Sequence, residues 1–502
     1  MIKKVIKRIL VAILLLPIIL LLLGVIYFHI DPFEYEILTD TTVEVSAKED
    51  NYNKFWLIWV NIPEKVEIEN KEYIVTNIGS SAFSYCYLLK HVKIPATVTV
   101  IGERAFYCCE NLTSINIPAS VSRIEDHAFL DCKHLSKIDF PASVKYIGEG
   151  TFLGCDAITS IDIPAKIEHI GVAAFNACDN LGNINVSCDN VYFSSADGLL
   201  FDKDKITLLC VPGNKKGNFK IPPYVSQIGE QAFRGCEKLT NIDIHAKIKK
   251  IGDCAFENCN GLTYFNIPST VSYIGKGIFS SCDNLETVEI KDGITSIENS
   301  SFSYCYKLKS ITIPESVKSI KDNVFWCCYN LNSIKIPNNV THIGEDAFGC
   351  SGLTTIDLPK NINTIEKKAF YRCDKLISID IPSGVTSIRE LAFYGCNNLE
   401  NIIIPSSVHH IGDRAFYDCT NLDVVIFNSE KDVNIGEDAF QNCKSVTYLT
   451  ENQEKDETEN NETEETENQN DDNADEDEMN EDENSEDVEF VNEEEEVQEE
   501  DN

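Results

Sequence analysis

A phenylalanine recurs along most of the chain, nearly always 23 residues after the previous one. The recurring residues are Phe83, Phe106, Phe129, Phe152, Phe175, Phe233, Phe256, Phe279, Phe302, Phe325, Phe348, Phe370, Phe393, Phe416 and Phe440. Their surroundings repeat as LxxIxIPxxVxxIGxxAFxxCxx, as in the segment from Leu112 to Cys132. A fixed period of roughly 20 to 30 residues indicates a solenoid, because each coil buries its apolar face only against its neighbours. The sequence therefore predicts a β-rich solenoid of about 15 to 16 coils.

Each repeat contains two apolar segments. Ile115 and Ile117 alternate with polar residues, which is the pattern of a strand with one buried face. The proline that follows ends this strand, and Val121 and Ile124 supply a second inward-facing pair. Outside the N-terminus, no segment has the pattern of a long amphipathic helix.

One interval between phenylalanines is much longer than the others. Phe175 and Phe233 are 58 residues apart, 35 more than one repeat of 23. The added stretch contains Asp197-Gly198 between apolar runs, which is a hairpin-turn signal. We expect an inserted β-hairpin at 186–222 on an otherwise continuous solenoid.

This repeat resembles that of the BspA-like leucine-rich repeat proteins, surface proteins of bacteria and protists whose 23-residue unit has the same wording. The resemblance covers about Val75 to Leu449. It implies a leucine-rich-repeat solenoid and a role in protein binding or adhesion at a cell surface, including attachment to host matrix proteins in some members. The resemblance does not identify a ligand.

The N-terminus has the features of a membrane segment. Basic residues precede an uninterrupted apolar run at 9–28, long enough to span a bilayer core of about 30 Å. An uncleaved anchor is favoured over a cleaved signal, since no small-residue cleavage pattern follows. The basic flank predicts a cytoplasmic N-terminus and an extracellular repeat domain in a single-pass protein of the cell membrane. The expected domains are an anchor at 1–30, an N-terminal β cap at 31–74 and a solenoid at 75–450.

The C-terminus is a strongly acidic tail. Residues 451–502 contain 28 Asp or Glu and one Lys, and they contribute most of the chain's net charge of −38. The tail has too few apolar residues to form a buried core, and we therefore expect it to be disordered. It is either a solvated segment that keeps the chain soluble, or a weak site for divalent cations or basic partners. The acidic balance makes nucleic acid an unsuitable partner.

The chain has 20 cysteines, most of them at one repeat position. Those at this position are Cys86, Cys109, Cys132, Cys155, Cys178, Cys236, Cys259, Cys282, Cys305, Cys328, Cys350, Cys373, Cys396, Cys419 and Cys443. Neighbouring side chains in such a column point the same way, which disfavours disulfides, so we expect free buried thiols. The repeat phenylalanines and cysteines should form two continuous ladders from Phe83 to Cys443. A bridge between Cys188 and Cys210 is the only pairing considered.

Signals for catalysis or metal binding are weak. The nine histidines are scattered, and three of them, His169, His342 and His410, share one repeat position that explains them as coil residues. Phosphate loops, nucleophile elbows and zinc-binding cysteine pairs are missing from the sequence. We expect a protein that is not an enzyme, without a cofactor or a metal.

Two surfaces could bind a partner. The exposed position between the two inward strand residues forms a mostly acidic or amide stripe that turns apolar at its C-terminal end. Its candidate binding residues are Asp139, Asp162, Asp243, Ile403 and Ile426. Simple solvent exposure explains this stripe, and contact with a basic partner is the alternative.

The second surface is the position directly after the repeat phenylalanine. Trp326, Tyr371, Tyr394 and Tyr417 cluster there in the late coils. Aromatic residues are enriched at interfaces, although covering the turn of each coil would also explain them. The sequence thus favours a membrane-anchored surface protein that binds a protein, cell-surface or matrix ligand. A passive display element, or a secreted repeat protein after signal cleavage, is the alternative.

Overall fold

The computed structural model describes residues 32–48, 57–426 and 433–448, all within the compact unit Met1–Leu449. These residues form 36 β-strands and contain no α-helix. The expected membrane segment at 9–28 and the acidic tail at 451–502 lie outside the described residues. Within the described ranges, no helix is long and apolar enough to cross a membrane.

The first five strands lie at the start of the coil stack. They are β1 (Phe33–Ile37), β2 (Thr42–Ala47), β3 (Trp59–Asn61), β4 (Lys65–Ile68) and β5 (Lys71–Ile78). β1 with β2, and β4 with β5, form antiparallel pairs. β3 pairs in parallel with β6 (His91–Lys93), and its residue Val60 lies opposite Val92. The coil stack therefore already includes β3, within the region that the sequence assigned to the N-terminal cap.

The coils before the insertion contain short strands, two in most coils. These strands are β7 (Val100–Ile101), β8 (Ser114–Ile115), β9 (Arg123–Ile124), β10 (Tyr146–Ile147), β11 (Ser160–Ile163), β12 (His169–Ile170) and β13 (Asn183–Val186). The insertion contributes β14 (Phe193–Ala196), β15 (Leu199–Asp202), β16 (Thr207–Cys210) and β17 (Gly217–Lys220). β14, β15 and β16 pair antiparallel, so the expected inserted hairpin is present, extended by one strand.

The coils after the insertion repeat the same arrangement to the end of the described residues. Their strands are β18 (Gln227–Ile228), β19 (Leu239–Asp243), β20 (Lys250–Ile251), β21 (Tyr264–Ile267), β22 (Tyr273–Ile274), β23 (Thr287–Ile290), β24 (Ser296–Ile297), β25 (Ser310–Thr312), β26 (Ser319–Ile320), β27 (His342–Ile343), β28 (Thr355–Ile356), β29 (Thr364–Ile365), β30 (Ser378–Ile379), β31 (Ser387–Ile388), β32 (Asn401–Ile404), β33 (His410–Ile411), β34 (Asp423–Ile426), β35 (Asn434–Ile435) and β36 (Ser445–Tyr448).

Two sets of parallel pairings hold the coils together. Strands from the LxxIxI segment pair with their counterparts one repeat away, as Ile161 does with Ile184. Strands from the VxxI segment do the same, as Ile124 does with Ile147. The alternation of isoleucine with polar residues fixes this register, because a slip by one residue would expose the whole buried face.

The repeat phenylalanines and cysteines form the two buried columns that the sequence predicts. Neighbouring phenylalanine rings stack with centroids 5.0 to 5.9 Å apart. Most column cysteines also have a partner, since the thiol donates a hydrogen bond to a backbone carbonyl in the preceding coil, which belongs to a repeat phenylalanine in nearly all of these coils and to Val211 in the case of Cys236. In one example, Sγ of Cys282 lies 3.0 Å from the Phe256 oxygen. Burial raises the pKa of Cys282 to about 12, so this thiol stays protonated.

The expected continuity of these columns from Phe83 onward is wrong at the insertion. The buried side chains form two separate clusters, and β15 lies between them. Leu200 packs with the N-terminal cluster, whereas Leu199 and Phe201 pack with the C-terminal one. Val211 takes the place of a phenylalanine here, since its N–H donates to the Ala232 carbonyl as a repeat phenylalanine would. The ring stack therefore stops and restarts.

The assignment of Cys350 to the cysteine column is also wrong. Ser351 occupies the column position, and its N–H donates to the Phe348 carbonyl as the column cysteines do in their coils. The residue missing from this repeat falls after Ser351 rather than before Cys350, which leaves Cys350 half-buried. All 20 cysteines lie in the described ranges and are free, including exposed Cys188 and buried Cys210.

Candidate binding surface

The aromatic residues that follow the repeat phenylalanine form a stacked row in the late coils, here called the aromatic ladder: Trp326, Tyr371, Tyr394 and Tyr417. Their ring centroids are 6.2 Å apart between Trp326 and Tyr371, 5.1 Å between Tyr371 and Tyr394, and 5.3 Å between Tyr394 and Tyr417. All four side chains are half-buried. The stack therefore leaves part of each ring open to solvent, and the interplanar angles of 2 to 20° show near-parallel rings.

A glycine keeps this ladder continuous. The coil between Trp326 and Tyr371 has Gly349 at the ladder position, where a ring could have stood. A Cβ on Gly349 would lie 2.2 Å from Cζ3 of Trp326, so no other residue fits unless the indole moves. The Trp326 ring covers this glycine and reaches Tyr371 in the next coil. The sequence pattern predicts the four aromatic residues but not the role of Gly349. The only indication of that role in the sequence is that Gly349 occupies the same repeat position as the four aromatics.

One buried carboxylate lies beside the ladder. Asp346 is largely buried, and its Oδ1 atom lacks a hydrogen-bond partner. Burial raises the pKa of Asp346 to about 6, although Lys368, with Nζ 3.9 Å from Oδ2, acts in the opposite direction. Nζ of Lys368 also lies 6.0 Å from the ring centroid of Tyr371. Because this carboxyl group titrates at mildly acidic pH, the charge beside the ladder depends on pH.

Three further tyrosines are exposed close to Trp326 in sequence: Tyr304, Tyr306 and Tyr329. The rings of Tyr306 and Tyr329 stack with centroids 5.5 Å apart. A hydrogen bond with the Cys327 thiol, followed by burial, raises the pKa of Tyr329 to about 12. The Tyr329 hydroxyl group is therefore protonated at neutral pH.

The acidic stripe is only partly assembled as the sequence suggests. Asp139 and Asp162 lie in neighbouring coils and, with Asn185, line an open depression of about 390 Å³. Asp162 accepts a hydrogen bond from Asn185, with Nδ2 and Oδ1 2.9 Å apart, and Asp139 forms an ion pair with Lys137 at 2.8 Å. Asp243 is exposed but lies beyond the insertion, where it pairs with β17. Of the three predicted aspartates, Asp139 and Asp162 therefore line the depression and Asp243 does not.

The apolar end of the stripe needs a correction. Ile403 is 55% exposed, as expected, whereas Ile426 is fully buried. Ile403 lies opposite Val425, and Ile404 lies opposite Ile426. The last coil has one residue fewer between its leucine and its first inward residue, which shifts the stripe position to Val425.

Among the described residues, no three His, Cys, Asp or Glu side chains are grouped so that they could hold a metal ion. The surface features of the coils are aromatic rings, hydroxyl groups and scattered ion pairs. This arrangement can bind by contact area and hydrogen bonding.

The sequence pattern of the BspA type leucine rich repeat region matches residues 76–196, 213–332 and 318–447. These matches cover well over half of the chain, so the protein belongs to this leucine-rich repeat family. The family's repeat is a non-enzymatic fold. No functionally curated protein matches the chain.

Several solved structures are similar to this chain. A leucine-rich repeat protein of Bacteroides ovatus is 29% identical, with a TM-score of 0.40, and the match covers 84% of this chain and 99% of that one. A leucine rich cell surface protein of Faecalibacterium prausnitzii is 24% identical, with a TM-score of 0.30 and coverage of 80% and 96%. The pneumococcal vaccine antigen PcpA is 17% identical, with a TM-score of 0.40 and coverage of 84% and 96%.

Proposed function

We propose that this chain is a non-catalytic cell-surface protein whose solenoid binds a protein ligand through the aromatic ladder. The observation that carries the proposal is the stack of Trp326, Tyr371, Tyr394 and Tyr417, which continues across Gly349. Half-buried tyrosine and tryptophan offer large contact areas with little rotamer entropy to lose, and they dominate the energetics of typical interfaces.

Membership in a family that includes surface proteins supports this role, and so does the solenoid itself, since repeat arrays bind through extended surfaces. The proposal includes anchoring through residues 9–28, with the repeat domain outside the cell. Ile403 and Val425 supply additional apolar side chains in the same late coils, and Asp139 with Asp162 is the secondary candidate for a basic partner.

Binding is tested with the purified full chain on a panel of immobilised extracellular-matrix glycoproteins. We expect saturable binding to at least one of them, and loss of that binding when Trp326, Tyr371, Tyr394 and Tyr417 are changed together to Ser. Individual hot-spot truncations typically cost about 2 kcal/mol or more, so the combined loss should be complete. The matched control changes the exposed Tyr264 and Tyr273 to Ser and should bind normally.

A stable ladder variant that binds as well as the unmodified chain would refute the role of the ladder. Location is tested separately by adding protease to intact cells that produce the full chain. We expect cleavage of the repeat domain while a cytoplasmic marker stays whole. Protection of the repeat domain would contradict a surface role.

A further inference from the structure

Two cysteines outside the cysteine column occupy the same repeat position in neighbouring coils. Cys327 and Cys350 each lie two residues after the repeat phenylalanine, here called the turn position. The backbone joins the two coils there, since the Cys327 N–H donates to the Gly349 carbonyl at 2.8 Å. Among the coils with a repeat phenylalanine, only this neighbouring pair has cysteine in both turn positions. The corrected place of Cys350 therefore puts its thiol beside that of Cys327.

Side chains at the turn position meet across neighbouring coils. Cys327 has φ of 60° and Cys350 has φ of 55°, both in the left-handed region that the turn position adopts in the other coils. At the equivalent Gly154, an added Cβ would lie 3.7 Å from the Cα of Asp131 in the preceding coil. Asp131 in turn reaches the Cys108 thiol of the coil before, with Sγ and Oδ2 3.9 Å apart. This differs from the cysteine column, whose thiols are directed to backbone carbonyls.

The thiols of Cys327 and Cys350 are already in contact and form a hydrogen bond. Neighbouring coils are roughly 4.8 Å apart, which is within the Cα separation that a disulfide requires. Burial, followed by the Cys327 thiol, raises the pKa of Cys350 to about 11; Asp374 raises it further, and Arg372 at the next turn position acts in the opposite direction. A bond between the two sulfurs therefore needs side-chain rotation and a small approach, and the coils keep their register.

One thiol of the pair is accessible and the other is protected. Cys350 is half-buried, so a small oxidant can reach its sulfur. Cys327 is only 6% exposed, and its thiol also forms a hydrogen bond with the Tyr329 hydroxyl group. A reaction with an external oxidant should therefore begin at Cys350 and end at Cys327.

We propose that Cys327 and Cys350 are a redox-active pair that forms a reversible disulfide between two coils when a small disulfide oxidant is present. The Cys350 thiolate attacks one sulfur of the oxidant, which forms a mixed disulfide and releases one thiol. The Cys327 sulfur then displaces the second sulfur of the oxidant. The protein loses two hydrogens, the oxidant is reduced to two thiols, and the two protons end on those thiols. The proposed location outside the cell is an oxidising environment in which such a bond persists.

The bond would lie at one end of the aromatic ladder. Trp326 directly precedes Cys327, and Gly349, which the Trp326 ring covers, directly precedes Cys350. Bonding brings the two sulfurs to about 2.05 Å from each other, so the turns that carry Trp326 and Gly349 approach as well. The redox state of the pair then sets the position of the first ring of the ladder. This consequence rests on the proposed function of the ladder, whereas the bond itself does not.

The test treats the full chain with oxidised glutathione, alkylates the remaining thiols and identifies the peptides by mass spectrometry. We expect a cross-linked peptide that joins Cys327 to Cys350 within one chain and that dithiothreitol removes. The rate should rise roughly 10-fold per pH unit between 7 and 9, because the thiolate fraction of a group with a pKa of about 11 rises by that factor.

Single variants separate the two steps of the reaction. Cys327→Ser should stop at the mixed disulfide of Cys350 with glutathione, whereas Cys350→Ser should leave Cys327 reduced. Cys108→Ser is the matched control, because Cys108 occupies a turn position next to a carboxylate, and the yield of the cross-link should stay unchanged. All three variants should keep the circular dichroism spectrum, since Ser281 occupies the same left-handed position in another coil.

A mixed disulfide at Cys350 without the cross-link in the unmodified chain would overturn the proposal, and so would pairing of Cys350 with another cysteine or a bond between two chains. The effect on the ladder is measured by tryptophan emission before and after oxidation. We expect a change that Trp326→Phe and Cys350→Ser both remove, and an unchanged spectrum in a fully cross-linked chain would overturn this effect. Neither measurement uses a ladder ligand, so failure here is distinguishable from failure of the ladder to bind a matrix protein.

Discussion

Two neighbouring columns of the solenoid stack aromatic rings with nearly the same geometry but in different surroundings. In the phenylalanine column, ring centroids are 5.2 Å apart between Phe370 and Phe393. One residue along the chain, in the aromatic ladder, they are 5.1 Å apart between Tyr371 and Tyr394. The phenylalanines are fully buried, whereas the tyrosines are half-buried. Stacking distance is therefore set by the coil spacing and does not itself distinguish structure from function.

The two columns differ in the residue types that the coils place in them. Nearly every coil has phenylalanine in the first column, because that position fills the core. The second column is varied in the other coils: Ser84, Tyr107, Leu130, Leu153, Asn176, Arg234, Glu257, Ser280, Ser303 and Gln441. The coil does not need an aromatic there, and the proposed binding role rests on the row from Trp326 to Tyr417 for this reason.

The largest expected effect is on the buried column. Phe279→Ala should lower the free energy of unfolding by about 3 to 5 kcal/mol, because it leaves a cavity between Phe256 and Phe302. Chemical denaturation monitored by circular dichroism measures this change. A loss below about 1 kcal/mol would show that the column does not carry the stability of the fold.

The cysteine column should contribute less per residue. Cys282→Ala removes a small buried side chain and the S–H hydrogen bond to Phe256, so we expect a loss of about 1 to 2 kcal/mol. The same denaturation assay applies. Cys188→Ala, at an exposed cysteine, is the matched control and should leave the stability unchanged.

Asp346 should make stability depend on pH near the ladder. Its pKa rises from the ordinary value of 3.8 to about 6 in the folded chain. Between these two pH values, the carboxyl group is protonated in the folded state and ionised in the unfolded state. The stability that the protonated Asp346 carboxyl group contributes is present below about pH 4 and is lost as the pH rises through 6. Asp346→Asn should therefore raise the free energy of unfolding at pH 7.5 by about 1 kcal/mol, a value reduced for solvent screening at this incompletely enclosed site.

The check on this effect is denaturation at several pH values between 4 and 7.5. The difference between Asp346→Asn and the unmodified chain should grow as the pH rises. A difference that stays constant, or that grows toward acidic pH, would show that this carboxyl group is not the one that titrates.

The smallest expected effect on stability concerns the glycine in the ladder. Gly349→Ala forces the Trp326 ring to move and separates it from Tyr371, at a cost of about 1 kcal/mol or less for a partly exposed ring. The tryptophan fluorescence spectrum should shift accordingly. Gly384→Ala, which places its Cβ at least 3.3 Å from any neighbour, is the control and should leave the spectrum unchanged.

The period of the sequence predicts the coils and both buried columns, because one residue type recurs at one phase. The period does not show where within a repeat a missing residue falls, so the pattern assigns Cys350 to the position that Ser351 occupies and Ile426 to the position that Val425 occupies. The interrupted ring stack at the insertion depends on how β15 divides its side chains between two cores. The ladder aromatics were predictable as a row, but its continuity depends on the shape of the space over Gly349.

The most direct measurement compares Tyr394→Ser with Phe393→Ala, two adjacent residues in different columns. Each variant is melted and is tested for binding to the matrix glycoprotein that the unmodified chain binds. We expect Tyr394→Ser to weaken binding by about 2 kcal/mol while its melting temperature stays nearly unchanged. Phe393→Ala should instead lower the free energy of unfolding by about 3 to 5 kcal/mol. A Tyr394→Ser chain that binds normally, or that is destabilised as much as Phe393→Ala, would contradict a binding role for the ladder.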